Sequence, residues 1–411
     1  MNKKKILFIN HYTISPSKGG TTRHYELAKR LVDCGYEVSL VGGAYHHHLR
    51  RNQTIKRRYE VENQDGFKLI WLRLPKYKNP HGVKRFFNWV VFSLKILKIP
   101  NLDQSKPDFI YYSSLSLIGI LSAIFLSKYY KAKLIFEIRD IWPLSLICLK
   151  GLSKYNPAII LLRLIELTGY KYSDLIITTM PKGYKHIQES GFKNKKIIHL
   201  PNGIENKPFK KVRSKVYEEI KEKQKEKFCV GYVGTNGVPN GVETLVLAAN
   251  ELKSEDSIFF TIVGEGPEKS RLVQLSKDLD IKNISFADRV PRDQVQQIVD
   301  SFDIVYHGQS IITKLYDYGI SPNKMAEYFL QGKPVVNAYS GSGDPVAQFN
   351  CGLTVPAHDH VGLAQSILEF YQMESGKFAQ FSLNARNAVN NFYDYDVVAL
   401  SLDEELKKLI I

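Results

Sequence analysis

Cysteine is scarce in this chain: Cys34, Cys148, Cys229 and Cys351 are its four, and no two stand close together. Without a CxxC pair or regular spacing, a disulfide scaffold and a structural zinc site are excluded, and a reducing cytosol is the natural home. Long apolar runs are missing too. The longest, near residues 115–126, is interrupted by Ser116, Gly119 and Ser122 and falls short of the roughly 18–20 residues of a spanning helix. The basic start, Met1 to Lys5, is followed by only four apolar residues, Ile6 to Ile9. That is too few for a secretory signal and reads as a first buried strand. No G-x-G-x-x-G follows either candidate first strand, which disfavours an NAD oxidoreductase. No low-complexity tract or short repeat is present.

What the sequence does contain is enough for two cores. Its 411 residues are 44% hydrophobic and 12% aromatic, which suits two domains of roughly 200 residues each. The net charge of +16 is unevenly placed: residues 1–200 hold 34 Lys and Arg against 13 Asp and Glu, and the remainder 23 against 28. A basic half points either to nucleic acid or to an anionic membrane surface, and composition alone does not choose.

Short, continuously apolar segments alternate with longer ones of helical period. Strands are expected near Lys5–Asn10, Glu37–Gly42, Phe67–Leu74, Asp108–Ser113, Lys133–Ile138, Asp174–Thr179 and Ile197–Leu200. After a charged stretch at Lys207–Lys227, a second series runs from Cys229–Val233 to Gly352–Val355. Continuous hydrophobicity fits parallel strands covered on both faces. The expectation is an α/β protein of two doubly wound, Rossmann-like domains, 1–206 and 207–390, facing a cleft, with ligands beyond the carboxyl ends of the strands.

Several of those strand-end loops could carry chemistry. Lys18-Gly19-Gly20-Thr21 precedes a helix, where Gly19 and Gly20 let a backbone approach an anion, or form an ordinary turn. Glu137-Ile138-Arg139-Asp140-Ile141-Trp142-Pro143 places two carboxylates and Arg139 at a strand end, to orient a hydroxyl or neutralise a phosphate, or merely to pair and fix the loop. In the second half, Gly231 to Gly241 offers Gly234, Thr235 and Asn236 to a phosphate. Val263-Gly264-Glu265-Gly266-Pro267 is a similar turn, with Glu265 either a ligand contact or a helix-start carboxylate. The most specific segment runs from Tyr318 to Val336. There Ser321 suits an N-cap and Pro322 the first helical position. Asn323 and Lys324 would then meet an anion at the helix tip, with Glu327 one turn deeper accepting ribose hydroxyls. The alternative is a solvated Lys324–Glu327 pair.

With those motifs, the chain resembles a glycosyltransferase of family 4 with the two-domain GT-B fold, over essentially its whole length. The resemblance rests on the Gly19-Gly20 loop, Pro201-Asn202-Gly203-Ile204, Gly231–Gly241, Val263–Pro267, Phe286–Pro291 and above all Ser321–Val336. Glu137–Pro143 and Ser321–Lys324 are most similar to a branch that builds bacterial O-antigen and capsule repeats, often from N-acetylfucosamine-type donors. The resemblance implies a C-terminal helix, 391–411, crossing back to the N-terminal domain. It also implies retaining transfer from a nucleotide-diphosphate sugar, without a metal or other cofactor. Glu327, Lys324, Arg139 and Asp140 would serve the chemistry, and Gly19, Gly20, Gly234, Thr235, Asn236, Glu265, Arg289, Gly319, Ser321 and Asn323 the donor. Two departures stand out. The family's Glu-x7-Glu has Gly319 in place of its first carboxylate, and its phosphate-binding Arg and Lys fall near Thr235 and Asn240. Lys324, with Arg289 or Arg139, would have to supply that charge.

The segment Lys84–Lys98 has the composition of an interfacial helix, with Lys84, Asn88, Lys95 and Lys98 on one side and aromatic residues around the rest. Lys84, Arg85, Phe86, Phe87, Trp89, Lys95 and Lys98 are the expected contacts of an anionic membrane and a lipid-pyrophosphate-linked saccharide acceptor. A helix packed on its own domain is the plainer reading. The protein is expected at the inner face of the cytoplasmic membrane, peripherally bound. Asp394-Tyr395-Asp396 and His46-His47-His48 are read as incidental. A nucleotide-sugar epimerase and a basic nucleic-acid-binding protein are the competing readings. The second lacks a reader motif, and the acidic second half speaks against it.

Overall fold

The computed structural model describes residues 3–16, 22–46, 49, 55–77, 83–99, 106–309 and 314–410. Gly19, Gly20, His47 and His48 lie outside the described residues. The chain divides into two compact units: residues 1–201 with 395–411, and residues 202–394.

The first unit is built on an eight-stranded sheet of β1 (Lys5–Ile9), β2 (Glu37–Gly43), β3 (Tyr59–Gln64), β4 (Phe67–Leu72), β5 (Phe109–Ser114), β6 (Lys133–Ile138), β7 (Leu175–Thr178) and β8 (Ile197–His199), in the order β3-β4-β2-β1-β5-β6-β7-β8. All neighbours are parallel except β3, which pairs antiparallel with β4. β3 is an addition to the sequence expectation. Its alternating polar sequence hides it, yet the two-residue Asp65-Gly66 turn, both residues at positive φ, is a regular hairpin signal. Strands β1, β5 and β6 are almost wholly buried, as their continuous apolar sequences require.

Right-handed crossovers fix which face each helix covers. The steps β4 to β5, β5 to β6 and β6 to β7 all move the same way along the sheet. Helices Val83–Ile96, Gly119–Tyr130 and Pro157–Tyr172 therefore form one layer, each packed on the next. The step β1 to β2 moves the opposite way, so helix Arg23–Asp33 covers the other face. There it packs against the C-terminal helix Tyr395–Lys408, whose Val398, Leu402 and Leu406 join the core with Phe8, Leu27 and Tyr111.

The second unit holds a six-stranded, all-parallel sheet of β9 (Phe228–Val233), β10 (Ile258–Val263), β11 (Ile284–Ala287), β12 (Ile304–Gly308), β13 (Val335–Ala338) and β14 (Gly352–Val355), ordered β11-β10-β9-β12-β13-β14. The strand order reverses beside β9, so the loops after β9 and β12 flank the switch point where such sheets bind ligands. Each unit is thus a doubly wound α/β fold. Among the described residues no helix is long and apolar enough to cross a membrane.

Candidate functional site

In the second unit the loops that follow β9 and β10 are zipped together. Gly234 N donates to Val263 O at 3.0 Å, Asn236 N to Glu265 O at 2.9 Å, and Asn236 Nδ2 to Gly264 O at 3.1 Å. A side chain at position 264 would strike Gly234 O, its Cβ falling 1.8 Å away, so this crossing demands glycine. Asn236 is fully buried and spends its donors on the loops themselves. Thr235, beside it, is exposed, and its carbonyl accepts from Tyr232 Oη at 2.8 Å and from Asn240 Nδ2 at 3.0 Å.

Into this frame comes Lys324. Its ammonium donates to Asn240 Oδ1 at 2.7 Å and to Tyr232 Oη at 3.1 Å, and sits 4.7 Å from the Tyr232 ring centre. The side chain from the helix thereby brings its charge to Asn240, where the resembled family carries a cation of its own. Burial lowers the Lys324 pKa to about 7, with Glu327 opposing the shift. Among the described residues this ammonium is held by neutral oxygens and a ring, which compensate it poorly, and an incoming anion would restore its charge.

Helix Asn323–Leu330 begins later than its sequence suggests. Pro322, with extended φ and ψ, occupies the cap position, and no side chain caps the helix. Ser321 instead accepts at Oγ from Asn202 N at 3.1 Å, while Asn202 Nδ2 donates to Ser321 O at 2.7 Å. Asn202 therefore clamps the turn that leads into the helix, and Asn323 stands exposed in its first position. Gly319 has φ +84. A glutamate there would sit in the left-handed region, so the family's missing first carboxylate is a property of this backbone turn as well as of the residue.

Glu327 is buried and does not pair with Lys324; its carboxylate meets Arg292, whose side chain is half exposed. Arg292 was invisible in the sequence, because nothing in its local pattern says that it reaches a helix 35 residues further along. Arg289, the expected cation of that loop, is exposed. Glu265, half exposed, pairs with Lys269 at 2.6 Å, and Lys269 also holds Asp288 at 2.5 Å. Its carboxylate thus meets the loop and helix start.

The first unit holds a different kind of charge cluster. Glu137, fully buried on β6, accepts from Arg23 Nε at 2.9 Å, His24 Nε2 at 2.8 Å and Ser113 Oγ at 2.6 Å. Arg23, also fully buried, reaches the carbonyl of Leu200 at 3.3 Å and that of Pro201. Burial alone would raise the Glu137 pKa, but Arg23, His24 and Arg139 hold it well below the usual carboxylate range. Burial lowers His24 to about 4, leaving it neutral, with Nδ1 facing the amide of Asn10. Asp140 accepts from Trp142 Nε1 at 2.9 Å and from Ser145 Oγ, pinning the turn before helix Leu144–Lys150. Arg139 is part-buried; burial first, then Arg23, lowers its pKa, against the raising field of Glu137. Arg23 and His24, which complete this cluster, gave no signal in the sequence beyond their place at a helix start.

Helix Val83–Ile96 corrects part of the expectation for a membrane-facing segment. Trp89 is completely buried, donating to Tyr12 Oη at 2.7 Å and packing edge-on to Trp142, so it cannot anchor an interface. Asn88 is buried as well, donating to Pro75 O at 2.7 Å. Arg85 is part-buried, 5.1 Å over the Trp89 ring. The exposed face is the apolar one: Phe86, Phe87 at 59% exposure, Val90 and Leu94, with Lys84 and Lys98 beside them. The face continues across the layer. Helix Gly119–Tyr130 exposes Leu121, Phe125 and Tyr129, four residues apart, and helix Pro157–Tyr172 exposes Ile160, Leu161 and Leu164. Such a run of large apolar side chains on three adjacent helices is more than a monomer scatters by chance.

Two family descriptions match the chain, one per unit: a glycosyl transferase 4-like domain over residues 18–203 and a glycosyl transferases group 1 domain over residues 227–373. The chain therefore carries both domains of a GT-B glycosyltransferase. It is 24% identical over 277 residues, 64% of its length, to WcaI of Escherichia coli K12, a protein named for colanic acid biosynthesis glycosyl transfer. The match spans 66% of that relative, just under two thirds. The fold is shared along nearly the whole chain with the sucrose-phosphate synthase of Thermosynechococcus elongatus (TM-score 0.74, 16% identity, 99% of each chain). It is shared also with Anabaena HepE in complex with UDP (TM-score 0.67, 16% identity, 98% of this chain and 100% of that one). Among the described residues no group of three or more His, Cys, Asp or Glu could hold a metal ion.

Proposed function

We propose that the protein is a retaining glycosyltransferase that moves a sugar, an N-acetylamino-deoxyhexose, from its UDP-linked form to a lipid-diphosphate-linked saccharide in surface-polysaccharide assembly, of the O-antigen or capsule type. One observation carries the reading. The Lys324 ammonium is delivered to the switch-point loop after β9, held there, among the described residues, by neutral acceptors. A diphosphate beside it would supply the missing countercharge. Glu327, one turn further along the helix, would receive ribose hydroxyls once Arg292 swings toward the phosphates. The UDP-bound state of the structurally similar HepE and the colanic acid name of WcaI support the donor and the pathway class.

In this reaction the bond from sugar C1 to the β-phosphate oxygen breaks, and its electron pair leaves with the phosphate. The acceptor hydroxyl oxygen bonds to C1 from the same face, and its proton passes to the departing phosphate oxygen. No separate protein base is needed. The protein's largest contribution is to stabilise negative charge growing on the leaving diphosphate, through Lys324 and Arg292. No metal takes part in this scheme. The apolar three-helix face of the first unit, with its lysines, would rest on the inner leaflet of the cytoplasmic membrane, where the acceptor lies.

The test is transfer from a panel of UDP-sugars to a polyprenyl-diphosphate-linked saccharide, with and without EDTA, reading the anomeric configuration of the product by NMR. An α-linked product from an α-linked donor, formed equally with EDTA, is expected. A β-linked product would overturn the retaining assignment, and loss of turnover with EDTA would overturn the metal-free one.

A further inference from the structure

A cavity of about 520 Å³ opens beside helix Val83–Ile96 in the first unit, and among the described residues its polar lining is cationic: Arg58, Arg73, Lys76 and Lys95, above an apolar wall at Pro75 and Val91. The β3–β4 hairpin builds one side. Arg73 N donates to Arg58 O at 3.1 Å, which sets the two arginines opposite each other where the strands end. The helix builds the other side, with Lys95 in its last turn donating to Arg73 O at 2.5 Å. Among the described residues, the only other polar contact of these side chains is from Arg73 Nη1 to Lys56 O at 3.1 Å. None of the four pairs with a carboxylate among the described residues. Four cations sharing one cavity repel one another, and burial together with Arg73, Arg58 and Lys98 lowers the Lys95 pKa accordingly. A protein keeps such an arrangement at a cost in stability unless an anion relieves it.

The surroundings specify the anion's carrier. Leu94 immediately precedes Lys95, and Val90 and Phe87 extend the exposed apolar stripe along the same helix. A ligand that fills the cavity with its charged end therefore has an apolar track beside it. We infer that the cavity formed by Arg58, Arg73, Lys76 and Lys95 binds the phosphate or diphosphate headgroup of an amphiphile, whose hydrocarbon lies along Phe87, Val90 and Leu94. The inference rests on the reading of the first unit as the acceptor side. It assigns the headgroup to a particular site, where that reading invoked only a basic surface.

The experiment uses the full chain saturated with UDP, so that the second unit is occupied, and titrates it with inorganic pyrophosphate by calorimetry. In parallel, flotation is measured with vesicles of phosphatidylcholine alone, with added phosphatidylglycerol, and with added polyprenyl diphosphate. The double variant Arg73→Gln/Lys95→Gln is compared with Lys154→Gln/Lys193→Gln, which removes the same charge from the same unit. The cavity variant should lose at least about tenfold in pyrophosphate affinity and in vesicle binding, while the control stays close to the parent. Preference for polyprenyl diphosphate vesicles would identify the acceptor as the source of the headgroup. Equal binding to phosphatidylglycerol vesicles would identify the bilayer lipid, and either outcome supports the site. Equal losses in cavity and control variants would overturn it, reducing the effect to diffuse charge, as would the absence of pyrophosphate binding to the parent. Should the double variant misfold, Arg58→Gln/Lys76→Gln, at two exposed positions, repeats the comparison. UDP binding is read separately in the second unit. Its absence would remove the transferase reading while leaving the cavity to be judged by the variants.

Discussion

The charge cluster around Glu137 in the first unit and that around Lys324 in the second are built on opposite plans. In the first unit Glu137 is surrounded: Arg23, His24 and Ser113 satisfy both oxygens, and Arg23 uses its remaining donors on backbone carbonyls. In the second unit Lys324 has, among the described residues, an amide oxygen, a phenol and a ring, while Glu327 leans on an arginine that is half in solvent. A closed ion cluster holds chain segments together and has nothing left to offer a ligand. An open one is costly until a counter-ion arrives, which is the condition a binding site must meet. The sequence made both look like candidate chemistry, since each mixes carboxylate with cation. Geometry separates them.

The largest effect should come from breaking the closed cluster. Glu137→Ala leaves Arg23 buried without its partner and should cost about 3–5 kcal/mol in urea unfolding, while UDP affinity of the folded protein is unchanged. Lys324→Met reverses that pattern. It should weaken UDP binding by at least about tenfold in calorimetry and leave the unfolding midpoint unmoved or higher, since a poorly compensated ammonium is removed. If the two variants behaved alike, the contrast between rivet and open site would be lost. Glu327→Ala should lower turnover by about tenfold or more with the fold intact by circular dichroism; full activity would remove Glu327 from the account. A smaller effect is expected at the surface. Phe87→Ser with Leu94→Ser should reduce flotation with anionic vesicles several-fold, by about the loss of two partly buried side chains, without touching UDP affinity.

Much of the fold was legible because parallel strands covered on both faces write themselves as continuous apolar runs. Segments such as Ile6–Ile9 and Ile258–Val263 could hardly be anything else. The hairpin strand β3 escaped because one of its faces is wet and its sequence is polar, although the Asp65-Gly66 turn announced it. For helix Val83–Ile96 the period was readable but not its rotation. Which side faces the core is set by Tyr12, Pro75 and Trp142, far away in sequence, and they claim Trp89 and Asn88. The same limit applies to the site. Lys324 and Glu327 could be found from their spacing on one helix, whereas their partners could not. Asn240 and Tyr232 come from another loop and strand, and Arg292 from a third segment. Ser321 looked like a cap because capping chemistry is local; its real partner, Asn202, lies 119 residues earlier.

A nucleotide diphosphate that meets the Lys324 ammonium must respond to the depressed pKa of that group. With the free protein titrating at about 7, the ammonium is already present below that pH, and affinity gains nothing from it on further acidification. Above pH 7 the free lysine is increasingly neutral, so binding must take up a proton and affinity must fall, by up to about tenfold per pH unit. Calorimetric titration of UDP between pH 7 and 9, in buffers of different ionisation enthalpy, would measure both effects at once. Proton uptake and falling affinity are expected in the parent, and neither in Lys324→Met. Equal UDP affinity and equal pH dependence in the two proteins would contradict that expectation.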